Sequence, residues 1–165
     1  ADRADATWRY RNNHDIYTDF TKAKTLKEDS EVDHVIECQQ TNASIASVSE
    51  GKRILRSMTA AVENLFNSEK NLNVTTMKIN RAKWGPIKRF MSAPTSSGKL
   101  VEEFARESCP SLVRDGTWNK IEQAQVLCYD EMLEEAADLS NSAASKHIEE
   151  LLEHMKGEFG KMGIM

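Results

Sequence analysis

The sequence predicts an α+β domain that is mostly helical, with one short two-stranded element set into it. Apolar residues recur at three- and four-residue spacing through 45–67 and again through the last third of the chain, the period of an amphipathic helix. Two short strand-like runs, at 31–39 and 72–76, interrupt that pattern. With 165 residues, 39% of them hydrophobic and 29% charged, residues 1–165 are read as a single domain large enough for its own core. No apolar run approaches the ~20 residues of a spanning helix, so no membrane partner is expected. The chain opens at Ala1, which reads as a mature chain or as a piece of a longer protein. The three cysteines, Cys38, Cys109 and Cys128, have no CxxC spacing and leave the compartment open.

In chain order, Ile16, Phe20 and Ala23 have helical spacing and predict a helix over 14–26, with His14 as a surface residue. Val32, Val35 and Ile36 then mark a strand around the pair Asp33-His34, with Cys38 read as buried. Thr41-Asn42-Ala43-Ser44 reads as a polar break capping one helix over 45–67, whose stripe runs Ile45, Val48, Leu55, Met58, Val62, Leu65 and Phe66. A second strand covers Leu72, Val74 and Thr76. A helix then starts near Met77 and is expected to stop at Gly85-Pro86. Residues 92–98 read as a loop, and 99–165 as a helical region with breaks at Pro110 and Asp115-Gly116-Thr117 and a fraying end from Gly157.

Charge is segregated. Residues 78–99 carry Lys78, Arg81, Lys83, Lys88, Arg89 and Lys99 with no acid, inside a chain of net charge −4. A basic stripe on an acidic body is a steering pattern for an anionic partner. The clustered Glu134, Glu135, Glu149, Glu150 and Glu153 read as a solvated helix face. Neither a Gly-rich phosphate loop nor a GxSxG elbow is present.

The sequence Asp33-His34-Val35-Ile36-Glu37-Cys38-Gln39, followed by Asn71 and then by Asn80-Arg81-Ala82-Lys83, resembles the HNH or His-Me finger (ββα-metal) nucleases, in their DHxxExQ toxin-like form. The resemblance covers residues 32–83. It implies a finger over 31–90, with a helical insertion at 45–67 where family members have a short link. By this resemblance His34 is the general base and Asn71 orients it. Asp33 and Asn80 supply oxygen ligands to one divalent cation, Mg²⁺ ahead of Mn²⁺ or Zn²⁺, with Glu37 beside them. Arg81, Lys83, Lys88 and Arg89 meet phosphates of the nucleic acid, and Trp84 is weighed between base stacking and packing. The function implied is an endonuclease of low sequence preference, with DNA ahead of RNA. A secreted toxin or effector setting goes with it, with an inhibitor or immunity protein as a further partner. The alternative is a non-catalytic helical interaction protein that keeps a degenerate finger. Asn42-Ala43-Ser44 and Asn73-Val74-Thr75 are glycosylation acceptors, the second inside the expected finger, where it would have to be skipped or hidden.

Overall fold

The computed structural model describes residues 3–139 and 142–165; residues 1, 2, 140 and 141 of the expected single domain lie outside it. Nine α-helices and one two-stranded antiparallel sheet are present among the described residues. The mostly helical α+β class is therefore as expected. No helix among these residues is long and apolar enough to cross a membrane.

Of the helix expected at 14–26 only α2 (Lys22–Lys27) forms; a separate α1 (Arg3–Tyr10) precedes it, with an isolated bridge His14↔Thr21 between the two. Asp15 is the reason. Its carboxylate accepts from the Tyr17 N–H at 2.9 Å and the Thr18 hydroxyl at 3.1 Å. Such local side-chain bonds compete with the helical ladder.

Strand β1 (Ser30–His34) pairs antiparallel with β2 (Leu72–Thr76), in a register that sets Asp33 opposite Asn73 and His34 opposite Leu72. Between them lie α3 (Cys38–Ser49) and α4 (Arg56–Phe66), not one helix over 45–67. Gly51, at φ 69°, turns the chain in the left-handed region that glycine adopts without strain. Thr41–Ser44 falls inside α3 instead of capping it. The cap is Glu37, whose backbone N–H is accepted by the Gln40 side chain at 2.9 Å in a reciprocal capping box.

Helix α5 (Met77–Ser92) begins where β2 ends, with the Thr76 hydroxyl accepting the Ile79 N–H at 3.3 Å. It runs through Gly85-Pro86 where a stop was expected. Pro86 removes one hydrogen bond to Ala82, but Gly85 has no Cβ to meet the proline ring. Pro86 and Ile87 are buried, and that packing holds the helix together past the proline.

The remainder is helical as expected: α6 (Val101–Ser108), α7 (Pro110–Arg114), α8 (Thr117–Ala137) and α9 (Ser142–Met162). Pro110 opens α7 at a position that needs no amide proton. The end of the chain does not fray from Gly157: α9 continues to Met162, and Phe159 and Met162 are buried. α3, α4 and α8 pack against α9, and α5 against α6. Their shared core includes Leu65, Phe66, Ile121, Met132, Leu151 and Leu152, each contributing about 1.5–3 kcal/mol of burial. None of the three cysteines is paired.

Candidate functional site

The pleat of β1 sends Glu31 and Asp33 to one face and Val32 and His34 to the other. Helix α5 lies along the first face. Its Asn80 amide donates to Glu31 Oε2 at 2.9 Å, and Arg81 to Glu31 Oε1 at 3.0 Å. One turn on, Lys83 Nζ stands 2.6 Å from Asp33 Oδ2. These contacts form two neighbouring rungs of a single seam. The seam brings Asp33 and Asn80 onto one side of the sheet.

Lys83 is fully buried, which corrects its assignment to phosphate contact. Arg81 and Lys83 are two residues apart, about 200° around the helix, so one faces solvent and the other the interior. Around the Lys83 ammonium are Glu37 Oε1 at 3.2 Å, the Tyr17 hydroxyl at 3.3 Å and the carbonyls of His34 at 2.6 Å and Val35 at 3.3 Å. The Tyr17 hydroxyl also donates to Asp33 Oδ2. Burial and the Asp33 charge push the Tyr17 phenol well above its ordinary value. Burial raises the Glu37 carboxyl as well, against the pull of Lys83. Buried charges survive where they are paired and hydrogen-bonded, and this cluster is both.

His34 stands half-buried on the other face, with Nε2 2.9 Å from Asn67 Oδ1. Asn67 follows α4 and is itself held, donating to the Glu63 carbonyl at 2.9 Å. Asn71 does not reach the imidazole in this arrangement. Its amide instead accepts the Ile36 N–H at 2.8 Å and donates to the carbonyls of Ile36 at 3.0 Å and Phe66 at 3.1 Å. Asn71 thus pins the corner where β1 turns toward α3. It shapes the site through backbone, while Asn67 occupies the place expected for Asn71.

Of the remaining basic residues, Lys88 is exposed, Arg81 is paired with Glu31, and Arg89 meets Glu107 at 2.6 Å and Ser108 at 2.8 Å. Cys38, expected to be buried, is exposed as the first residue of α3, and burial and the Glu37 charge raise its thiol. Trp84 is half-buried against the core. Asn73 is fully buried and donates to Asp15 Oδ1 at 2.7 Å, so the folded chain hides that acceptor, whereas Asn42 is exposed.

No family model, curated protein or solved structure matches this chain. The site is therefore weighed on its own chemistry. Among the described residues no three His, Cys, Asp or Glu side chains converge as a metal-holding group. The oxygens that fit a hard cation are Asp33 Oδ1, which lies outside the bonds that converge on Oδ2, and the amide oxygen of Asn80. Asp33 is only 2% exposed, so an ion on Oδ1 would have to shed part of its water to reach it.

Three residues escaped the sequence reading. Glu31 is two positions from Asp33, so strand alternation places it on the same face and could have found it. Asn67 shows only as a polar residue after a helical stripe. Tyr17 gives no local signal, because its partners are 16 and 66 residues away.

Proposed function

We propose that this chain is a metal-dependent nuclease of the His-Me finger kind, acting on DNA ahead of RNA with little sequence preference. The reading rests on one observation above the others. His34, beside Asp33 at the end of β1, has one ring nitrogen at Asn67 Oδ1, and the partner strand β2 runs directly into the helix bearing Asn80. A proton on Nε2 donated to Asn67 leaves Nδ1 to accept one from water, the part of a general base.

A divalent cation on Asp33 and Asn80, Mg²⁺ foremost, would supply charge neutralisation at the scissile phosphate. Asp33 and His34 leave β1 on opposite faces, so a phosphate that engages both sits across the strand's C-terminal end. Lys83 holds that end through the His34 and Val35 carbonyls. Arg81, Lys88 and Arg89 meet flanking phosphates, the two arginines by exchanging their carboxylate partners. A secreted toxin or effector, checked by an inhibitor protein, is the setting that such an activity fits.

The Lys83–Asp33 contact favours the second reading, a helical interaction protein with a degenerate finger, because the ammonium neutralises the carboxylate that would hold the cation. Incubation with plasmid DNA and with total RNA, with Mg²⁺ and with chelator, separates the two. The nuclease reading expects Mg²⁺-dependent cleavage that falls ~10²–10⁴-fold in a folded His34→Ala variant. Absence of Mg²⁺-dependent cleavage would leave the interaction reading standing, and wild-type rates in that variant would remove His34 as the base.

A further inference from the structure

A cavity of about 680 Å³ lies away from the β1–α5 seam, between α3, the segment after α5, and α9. That volume falls in the range of small-molecule sites. Its floor holds the buried side chains of Gln40, Ser44, Met155, Phe159 and Met162. At the mouth Lys99 pairs with Glu107 and Lys161 with Glu158, so charge there is balanced.

The floor is different, because there the Gln40 amide keeps a donor that the protein leaves with only a weak acceptor. Gln40 is only 7% exposed, and its side-chain oxygen already accepts the Glu37 N–H. Its amide nitrogen meets a thioether alone, Met162 Sδ at 3.6 Å, which is a weak acceptor. Ser44, one turn further along α3, lies 3.1 Å from His154 Nδ1. The Gln40 amide, the Ser44 hydroxyl and the His154 ring therefore line one wall, with Phe90, Met155 and Phe159 around the space beyond. The Gln40 amide, beside the His154 ring and above an apolar chamber, suits a head with acceptor oxygens on a hydrocarbon body.

We propose that this cavity binds a medium-chain aliphatic carboxylate, with its head at Gln40 and His154 and its chain along Phe90, Met155 and Phe159. The assignment is independent of the nuclease reading.

Calorimetric titration of the full chain with decanoate, and in parallel with 1-decanol, tests it. Decanoate should bind saturably, one per chain. Gln40→Glu keeps the acceptor for the Glu37 N–H but exchanges the donors for a like charge. It should weaken decanoate by about tenfold or more, the worth of one hydrogen bond, and spare decanol. Ala43→Trp, from the exposed side of α3, should fill the chamber and abolish both. His34→Ala should bind decanoate as the wild type does. Absence of saturable decanoate binding, or binding that survives Ala43→Trp in a protein of unchanged circular dichroism, overturns the site. Equal weakening of acid and alcohol by Gln40→Glu overturns the carboxylate assignment.

Discussion

Lys83 Nζ and Asp33 Oδ2 stand 2.6 Å apart with the two side chains 0% and 2% exposed. A cation from the basic stripe has thus become part of the interior. Removing one partner of such a pair leaves an uncompensated buried charge. Lys83→Met should cost about 3–5 kcal/mol in urea denaturation. Lys83→Met combined with Asp33→Asn should recover part of that loss. A Lys83→Met protein as stable as the wild type would mean that the pair does not form.

Glu37 makes stability depend on pH. Burial raises its carboxyl above the ordinary 4.5, so the folded chain keeps this proton to higher pH than the unfolded chain. The contribution of Glu37 is most favourable below about 4.5 and is lost as pH rises through the folded value. Glu37→Gln keeps a side-chain acceptor at the α3 cap and removes the titration. Wild-type stability relative to Glu37→Gln should therefore decline as pH rises above 4.5 in denaturation series. A flat difference would show that the carboxyl titrates alike in both states.

Asn67 fixes the imidazole. If His34 is the base, Asn67→Ala should slow cleavage by about tenfold or more, the usual loss when a histidine's orienting partner goes. ¹⁵N spectra of the His34 ring should show the wild-type preference for Nε2–H fading in the variant. Asn71→Ala should act differently, lowering stability through its three buried bonds while leaving the tautomer in place.

Nucleic-acid binding should follow the exposed cations alone. On a His34→Ala background, removing Arg81 and Lys88 should flatten the log–log salt slope on duplex DNA by roughly 1–2 units. Controls at Lys146 and Lys156, on α9, should leave the slope unchanged. The buried Lys83 belongs with the controls. A slope altered as much by Lys146 and Lys156 would place the binding face elsewhere.

Both strands and the start of α5 were legible from local signals, although β1 ends at His34 and Cys38-Gln39 open α3 instead of extending the strand. The long helices were legible through their period. The burial of Lys83 was legible too, in its spacing and not in its charge. Ile79, Lys83, Pro86 and Ile87 form one stripe at helical spacing, and all four are buried. Reading residues 78–99 as one basic face ignored the helix turning inside it. The break at Gly51 and the turn at Asp15 went unseen because each depends on a single residue's conformation or distant partners. The exchange of Asn67 for Asn71 could not be read, since only folding decides which of two nearby asparagines meets a histidine across the chain.

Strands β1 and β2 are neighbours in the sheet but are joined through α3 and α4, and this sets an order of assembly. The pair cannot zip from a tight turn. Its first contact must close a long loop, an entropic cost that local helices do not meet. Helices α3 and α4 can form early and shorten the effective span, whereas the sheet, and with it the juxtaposition of Asp33, His34, Asn67 and Asn80, comes late. Loss of the β1–β2 pairing dismantles the candidate site as a unit. Amide protons of β1 and β2 would report the integrity of the site in hydrogen exchange more sensitively than any helix does.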